Sequence, residues 1–193
     1  MTLSTTAIIH QTGDASVFSI EQTKVALPGA HEVNITHTAI GVNFIDTYFR
    51  SGLYPIDLPA VLGDEAVGII DTIGDGVTEF SVGQRVAYSA AKGGAYSERR
   101  TIGINEIVAV PDGIDDKAIA TSLLRGMTVE YLFCRLYELK AGETILIHAA
   151  AGGIGTIACQ WAKSIGATVI GTVSSAEKAI IAKQNGCDFV INY

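Results

Sequence analysis

The chain has 193 residues, of which 48% are apolar and only 17% charged, a composition typical of a folded globular protein. Its formal net charge of -7 predicts no extended basic surface, which argues against nucleic acid or an anionic membrane as a partner. The sequence shows no basic-then-apolar leader and no apolar run near the ~18 residues of a membrane span. We therefore expect a soluble, cytoplasmic protein.

Residues 1–110 contain short runs in which apolar and polar residues alternate, such as Glu32–Thr38 and Ala66–Ile73. Alternation of this kind predicts antiparallel strands that pack one face on a core. Recurrent glycines between the runs favour a small, bent, barrel-like β domain. These glycines are Gly63, Gly68, Gly74, Gly76, Gly83, Gly93 and Gly94.

A helix is predicted from about Asp115 to Leu139, with an interruption near Gly126. It leads the chain out of the alternating region and into a segment of different character. We place a domain boundary near Ser122, which gives one domain over residues 1–122 and a second over residues 123–193.

A glycine-rich turn lies between an apolar run and a helix-like stretch. The run Thr144–Ile147 is followed by Ala149–Gly155, which reads Ala-Ala-Ala-Gly-Gly-Ile-Gly, and then by Thr156–Lys163. Glycines let the backbone turn tightly and approach a diphosphate, whose charge the first N–H groups of the helix can receive. This order predicts a dinucleotide-binding site, with alanine at the first position of the usual glycine fingerprint.

The pattern continues as a β-α-β-α-β succession. Ala167–Val173 is the second apolar run, Ser174–Asn185 has helical character, and Asp188–Asn192 is the third run. Because crossover connections between such strands are right-handed, the succession predicts a parallel sheet.

The end of the second predicted strand indicates which dinucleotide binds. NAD-binding proteins usually carry Asp or Glu there, about 20 residues after the glycines, to hold the ribose hydroxyls. This chain has Ser174 and Ser175 instead, and Lys178 follows one helical turn later. Taken alone, Lys178 is equally well interpreted as a solvated helix lysine. The missing acid favours a 2′-phosphate, and the sequence therefore predicts NADPH in preference to NADH.

The three cysteines, Cys134, Cys159 and Cys187, are widely spaced and form no Cys-x-x-Cys motif. Neither a disulfide nor a structural zinc site is expected from this spacing. The four histidines are scattered, and His148 at the tip of the first dinucleotide strand is expected to have a hydrogen-bonded structural role.

Five phrases carry a family resemblance that covers the whole chain: Ala39–Tyr48, Arg50–Tyr54, Gly93–Tyr96, His148–Gly155 and Val190–Tyr193. With them the chain resembles the NADPH:quinone oxidoreductase (zeta-crystallin-like) branch of the medium-chain dehydrogenase/reductase superfamily. The resemblance implies an α/β plus β fold: a GroES-like β-barrel domain followed by a partial Rossmann domain, a parallel β-α-β-α-β unit. It also implies an active site in the cleft between them.

The resemblance is to the zinc-independent branch. Zinc-dependent relatives carry a catalytic cysteine and a Gly-His-Glu phrase where this chain reads Gly41–Phe44 and Gly63–Glu65. The stretch from Ala87 to Gly94 also lacks the four cysteines of a structural zinc lobe. We therefore expect no metal, and hydride transfer to a conjugated acceptor in place of Lewis-acid alcohol chemistry.

The resemblance implies that Asn43, Asp46 and Tyr54 line the catalytic site, with Asn43 and Tyr54 near the nicotinamide and ribose. Tyr54 is a candidate hydrogen-bond donor to the developing quinol oxyanion. From the residues alone, a packed aromatic side chain beside Pro55 is the favoured alternative. The other cofactor-binding residues that the resemblance implies are Thr128, then Gly152, Gly153 and Ile154 at the diphosphate, and Ser174, Lys178 and Tyr193 at the adenosine 2′-phosphate.

The chain departs from the family in length, since such enzymes have about 320 residues. Three hypotheses stay open. The first is a metal-free NADPH:quinone oxidoreductase, acting on a quinone or another conjugated carbonyl as a homo-oligomer, dimeric as in the family. The second is an NADPH-dependent enone or enoyl-thioester reductase. The third is a non-catalytic NADPH-binding remnant.

Overall fold

The computed structural model describes residues 2–89 and 93–193. The chain divides into two compact units, Met1–Leu123 and Leu124–Tyr193. Within the described ranges, no helix has both the length and the apolar character that crossing a bilayer requires.

The first unit is built mainly of antiparallel strands, as the alternating runs predict. Its strands are β1 (Thr2–Ile9), β2 (Phe18–Val25), β3 (Glu32–Gly41), β4 (Ala60–Val61), β5 (Glu65–Ile73), β6 (Arg85–Ser89), β7 (Arg99–Gly103) and β8 (Ile107–Ala109). Five of them form a sheet in the order β7-β3-β5-β6-β8, and a second sheet has the order β2-β1-β4.

The core of the larger sheet comes from alternate residues of its central strands. Val33 and Ile35 on β3, Ile70 on β5, and Val86 and Tyr88 on β6 are at most 1% exposed. Each such aliphatic side chain contributes about 1.5–3 kcal/mol when it is fully buried. The period-two pattern that predicts strands here therefore also selects the side chains that stabilise the sheet.

A buried network of polar side chains lies within this first unit. The Nδ1 atom of His37 lies 2.7 Å from the Ser97 carbonyl oxygen, and its Nε2 atom lies 2.9 Å from the Tyr88 hydroxyl. The Arg100 guanidinium lies over the Tyr88 ring, 4.9 Å from its centroid. Burial, together with the Arg100 charge, lowers the pKa of His37 to about 4, against the hydrogen bond to Ser97. His37 is therefore neutral at physiological pH, donating from Nδ1 and accepting at Nε2.

The helices of the first unit are α1 (Phe44–Ser51) and α2 (Asp116–Ala120), with short 3₁₀ turns at Ala15–Val17 and Ile104–Glu106. Helix α3 (Leu123–Glu130) follows, and a π-helical segment, Tyr131–Leu136, continues it.

The helix expected from about Asp115 to Leu139 is broken at a different place from the one predicted. Helix α3 runs through Gly126, and the break falls at Thr121 and Ser122. There the Thr121 hydroxyl donates to the Lys117 carbonyl at 2.8 Å, and the Ser122 hydroxyl donates to the Ala118 carbonyl at 2.6 Å. These hydroxyls satisfy the last carbonyls of α2 and so stabilise its end. The predicted interruption near Gly126 was therefore wrong, because α3 continues through that residue.

The second unit has the predicted β-α-β-α-β order. Its elements are β9 (Thr144–Ile147), α4 (Gly153–Ile165), β10 (Thr168–Val173), α5 (Ala176–Gln184) and β11 (Phe189–Asn192). The three strands form a parallel sheet in the order β11-β10-β9, with Ile170 opposite both Leu146 and Phe189. The core includes Val169 on β10 together with Ala158, Cys159 and Ala162 on α4.

The three cysteines are free thiols. Cys159 and Cys187 are buried in the core of the second unit with their sulfur atoms 3.3 Å apart. Desolvation, with the contact to Cys187, raises the pKa of Cys159 to about 12. Cys134 is exposed.

Candidate functional site

The start of helix α1 places two of the predicted catalytic residues. Asn43 precedes the helix in an extended conformation, and the Asp46 carboxylate in the first turn accepts a 2.8 Å hydrogen bond from the Asn43 backbone N–H. A first-turn carboxylate both caps the helix and interacts favourably with its dipole. Gly52 ends the helix with φ of 81°, a conformation that glycine adopts without strain.

Asn43 is also held by a buried carboxylate. Its Nδ2 atom donates to Glu65 Oε2 at 2.8 Å, and Glu65 at the start of β5 is only 1% exposed. A Cβ atom on Gly41 would lie 2.5 Å from that same carboxylate oxygen, so glycine at this position leaves room for the pair. The side-chain amide of Asn43 is therefore fixed by a charge-assisted hydrogen bond.

Asp46 has a second partner in Tyr96. The Tyr96 hydroxyl donates to Asp46 Oδ2 at 2.7 Å, and Asp46 is 5% exposed. Burial raises the pKa of Asp46, against the two hydrogen bonds it accepts. Burial and the adjacent carboxylate also raise the pKa of Tyr96, so this hydroxyl stays protonated. Asn43, Asp46, Glu65 and Tyr96 are called the polar cluster below.

Tyr54 lies in an aromatic group at the end of α1. Its ring centroid is 5.3 Å from that of Tyr48 and 5.6 Å from that of Phe49, and its side chain is 42% exposed. Within the described part of the chain its hydroxyl makes no hydrogen bond. Tyr54 thus combines a packed ring with an accessible hydroxyl.

A cavity of about 660 Å³ adjoins the polar cluster inside the first unit, within the size range of small-molecule sites. Its walls are mostly apolar, with the carboxylates of Asp46, Asp57 and Asp64 among them. The lining residues are Asp46, Phe49, Pro55, Ile56, Asp57, Leu62, Gly63, Asp64 and Gly93.

The glycine-rich turn of residues 149–155, called the cradle below, joins β9 to α4. Ala149 has φ of 50°, and its carbonyl accepts a 2.7 Å hydrogen bond from the Gly152 N–H. A Cβ atom on Gly155 would lie 2.4 Å from the same carbonyl oxygen, so only glycine permits this close approach. The first N–H groups of α4 then lack intrahelical partners and can bind an anion.

Gly153 and Ile154 belong to the cradle, and Thr128 is a further predicted cofactor-binding residue. Gly153 begins α4, and a Cβ atom there would lie 2.8 Å from Arg125 Nε. Ile154 is 44% exposed. Thr128 lies on α3, where its hydroxyl donates to the Leu124 carbonyl of its own helix at 2.9 Å.

The residues predicted for the 2′-phosphate gather at the ends of β10 and β11. The Lys178 ammonium donates to the Ser174 hydroxyl at 3.0 Å, and the Tyr193 backbone N–H donates to the Val173 carbonyl at 3.1 Å. The Ser175 hydroxyl accepts from the Lys178 N–H and caps α5. Ser174, Lys178 and Tyr193, called the phosphate cluster below, thus present a hydroxyl and a cation at one edge of the sheet.

Glu177 and His148 each have a hydrogen-bond partner in the structure. Glu177 lies in the first turn of α5, and a hydrogen bond from Ser175 lowers the pKa of its carboxyl. His148 Nδ1 lies 3.1 Å from the Thr172 hydroxyl oxygen at the ends of β9 and β10.

Among residues 2–89 and 93–193, no group of three or more His, Cys, Asp and Glu side chains is placed to hold a metal ion. Residues 90–92, which belong to the stretch expected to lack a zinc lobe, lie outside the described residues.

Sequence reasoning did not assign roles to Glu65, Tyr96 or Arg125. Glu65 is a carboxylate directly before the apolar residues 66–70 of β5, and this position is a signal that sequence reasoning could have used. Tyr96 lies 50 residues from Asp46, and nothing in the local pattern relates the two.

An antiparallel β domain followed by a parallel β-α-β-α-β unit with a glycine cradle is the architecture of a dinucleotide-binding protein. The chain belongs to the alcohol dehydrogenase GroES-like domain family, whose sequence model matches residues 29–141. A second model, for zinc-binding dehydrogenases, matches residues 153–193. The predicted fold class is confirmed.

Similar proteins agree with this assignment. The chain is 50% identical over 182 residues to a quinone oxidoreductase of Pseudomonas aeruginosa, covering 94% of this chain and 56% of that protein. It is 45% identical to a 2-haloacrylate reductase of a Burkholderia species, covering 97% of this chain and 58% of that protein. The crystal structure of the Escherichia coli quinone oxidoreductase complexed with NADPH matches with a TM-score of 0.95 and 44% identity, covering 98% of this chain and 58% of that one. The resemblance to the quinone oxidoreductase branch is confirmed, and the chain spans less than two thirds of each relative.

Proposed function

We propose that the chain takes part in NADPH-dependent reduction of quinones without a metal. The observation that carries the proposal is the phosphate cluster, in which Lys178 and Ser174 already contact each other at 3.0 Å beside a strand end without a carboxylate. A cation with hydroxyl donors suits a 2′-phosphate, and an acidic side chain would repel it. The quinone oxidoreductase relatives and the NADPH-bound neighbour support the same cofactor and acceptor.

The residues present fit the cofactor. Because Gly155 lacks a Cβ atom, the start of α4 packs closely against the backbone of Ala149 and Ala150. Gly152 and Ile154 flank the first N–H groups of α4, which would receive the diphosphate. Ser174, Lys178 and Tyr193 would hold the 2′-phosphate. By family resemblance, Asn43 and Tyr54 would lie near the nicotinamide and ribose, and Thr128 would also contribute to cofactor binding.

When bound, NADPH supplies a hydride to the acceptor. The chain's own contribution is mainly to bind and orient the reactants and to exclude water. Glu65 fixes the Asn43 amide, and the accessible Tyr54 hydroxyl donates a hydrogen bond to the oxyanion that develops on the acceptor. Asp46, tied to Tyr96 and to the start of α1, keeps this region in position.

The test is a titration of the 193-residue chain with NADPH and NADH, followed in the same cuvette by addition of 1,4-benzoquinone and correction for the uncatalysed reaction. Tight, NADPH-selective binding with turnover supports the proposal. Binding without turnover supports the non-catalytic alternative, and absence of binding contradicts the assignment of the cofactor.

Reduction of an activated alkene is the second candidate. It is supported by the 45% identical relative, which is named as a reductase of 2-haloacrylates. Acceptor profiling with 1,4-benzoquinone, 2-cyclohexenone and 2-chloroacrylate separates the two candidates. Faster turnover of the alkenes than of the quinone would overturn the first choice.

We also propose that residues 1–122 form the substrate and catalytic domain and that residues 123–193 form the first half of the NADPH-binding domain. A cytoplasmic location is supported by three free thiols, which are typical of reducing compartments. A homodimer is supported by the family resemblance, and sedimentation analysis tests it.

A further inference from the structure

Two buried thiols lie in contact within the second unit. Cys159 is on α4 and fully buried, and Cys187, which is 7% exposed, lies between α5 and β11. Their sulfur atoms are 3.3 Å apart, although the residues are 28 positions apart in sequence. A disulfide has an S–S distance of about 2.05 Å, so the two sulfur atoms need to approach each other by only about 1.3 Å. Cys159 and Cys187 are called the thiol pair below.

Two glycines allow this close approach. A Cβ atom on Gly171 of β10 would lie 2.6 Å from the Cys187 sulfur, and one on Gly186 would lie 3.2 Å from the Cys159 carbonyl oxygen. A side chain at Gly171 would displace the Cys187 sulfur, and one at Gly186 would crowd the backbone of α4. The packing around the thiol pair therefore depends on the absence of a side chain at both positions.

Polar contacts hold the segment that carries Cys187 in place. The backbone N–H of Cys187 donates to the Ala182 carbonyl at 3.1 Å. The Lys163 ammonium on α4 pairs with the Asp188 carboxylate, and the Asp188 N–H donates to the Val169 carbonyl at 2.9 Å. Because these contacts restrain the backbone at Cys187 and at the next residue, the fold itself brings the two reacting atoms together.

We propose that the thiol pair is a site of reversible oxidation, at which a peroxide converts the two thiols into a disulfide between α4 and the segment before β11. The bond would join residues 28 positions apart. It would therefore restrict the unfolded chain and stabilise the second unit. This site is independent of the proposed function, since its chemistry involves neither the dinucleotide nor its acceptor.

The peroxide alone balances the reaction. The Cys187 thiol, the more exposed of the two, attacks one peroxide oxygen as the thiolate, the O–O bond breaks, and a sulfenic acid forms with release of water. The Cys159 sulfur then attacks the Cys187 sulfur, so that the S–S bond forms, the S–O bond breaks and a second water leaves. The two thiols together lose two electrons and two protons, and one hydrogen peroxide becomes two waters. A dithiol reductant reverses the change by thiol–disulfide exchange.

Burial makes this oxidation slow. The thiolate is the reactive form, and burial, with the contact to Cys187, raises the pKa of Cys159 to about 12. The reaction therefore proceeds through transient opening of the second unit, and its rate should increase with pH. Cys134 is exposed and would react first, so the test uses Cys134→Ser.

The experiment treats the full Cys134→Ser chain with a small excess of hydrogen peroxide at about pH 8, where more of each thiol ionises. Thiols are titrated after denaturation, and the mass of the intact chain is measured. We expect both remaining thiols to be lost together, the mass to fall by about 2 Da, and dithiothreitol to restore both thiols. Peptide mapping without reductant should join residues 159 and 187 of one chain.

Urea unfolding followed at Trp161 on α4 measures the effect on stability. The oxidised chain should unfold at a midpoint at least about 1 M higher than the reduced chain. Cys187→Ala in the Cys134→Ser background is the matched control, because it leaves Cys159 without a partner thiol. After peroxide treatment this control should show neither the loss of about 2 Da nor the higher midpoint.

Survival of both thiols in peroxide, even in urea concentrations that promote opening without unfolding the chain, would overturn the inference. Addition of oxygen atoms without a disulfide, a disulfide that forms only between chains, or a midpoint that does not rise would also overturn it. The thiol count and the mass are measured on Cys134→Ser alone, so they decide the matter even where Cys187→Ala folds poorly. None of these measurements uses NADPH, and the proposed function is tested separately.

Discussion

The cradle of the second unit is made of backbone, whereas the polar cluster of the first unit is made of side chains. Gly152 and Gly155 contribute because they lack a Cβ atom, and the Ala149 carbonyl that both approach is only a few residues away in sequence. Asn43 and Glu65 are 22 residues apart, and Asp46 and Tyr96 are 50 residues apart. A site of the first kind can be recognised from a short sequence, while one of the second kind emerges only when distant strands come together.

The largest expected effect tests the backbone-built site. Gly155→Val should destabilise the second unit by about 3 kcal/mol, because its Cβ atom would lie 2.4 Å from the Ala149 carbonyl oxygen. Denaturant unfolding can be followed at Trp161 on α4, the only tryptophan of the chain.

The matched control is Gly126→Ala, because a Cβ atom there meets nothing within 4 Å. In the interior of α3 it should leave stability unchanged or raise it by up to about 1 kcal/mol. Equal unfolding midpoints for Gly155→Val and the wild-type chain would contradict this prediction, because they would show that the backbone of the cradle accommodates the added side chain without loss of stability.

Lowering the pH should destabilise the first unit more than the second, because His37 lies in the first unit. Its folded-state pKa of about 4 lies below the ordinary value of 6.5, so the unfolded chain binds this proton first. The stabilisation is complete above pH 6.5 and is lost as the pH falls to about 4, by roughly 3 kcal/mol in all. Hydrogen exchange should show the first unit opening as the pH falls over this range. In His37→Gln the exchange of the first unit should depend less on pH. An identical acid profile for the variant would exclude His37 as the cause.

Removal of the Lys178 charge should change ligand selectivity more than stability. Lys178→Ala is expected to weaken NADPH about 10- to 100-fold and to leave NADH unchanged, because a charge-assisted hydrogen bond to phosphate contributes about 1.5–3 kcal/mol. Fluorescence titration measures both constants. Lys183→Ala on the same helix is the control, and a similar loss in that variant would point to a general effect of charge.

The smallest expected effect concerns Tyr54. If the hydroxyl acts on the developing oxyanion, as we propose, Tyr54→Phe should lower kcat about tenfold in a form of the protein that turns over, with little change in KM. Tyr137→Phe, which removes a hydroxyl bonded to Glu143, serves as the control. An unchanged kcat would leave Tyr54 with packing alone.

Sequence reasoning was most successful where structure is local. The strand Thr144–Ile147 was predicted with the bounds that the structure gives, because an apolar run and flanking glycines define it without help from distant residues. The break expected near Gly126 was wrong because glycine only lowers helix propensity, whereas the hydroxyls of Thr121 and Ser122 satisfy the terminal carbonyls. Glu65 and Tyr96 were missed because their partners are distant in sequence.

The backbone of Ala149 has a further consequence. A left-handed conformation costs a residue with a Cβ atom about 1–2 kcal/mol, and glycine avoids that cost. One nucleotide change converts any alanine codon into a glycine codon, so a relaxed version of the loop is a single mutational step away. Such a change would also give the unfolded chain more conformations to lose. Alanine at this position therefore strains the folded loop but limits the conformations of the unfolded chain. It does so at the residue whose carbonyl both Gly152 and Gly155 approach.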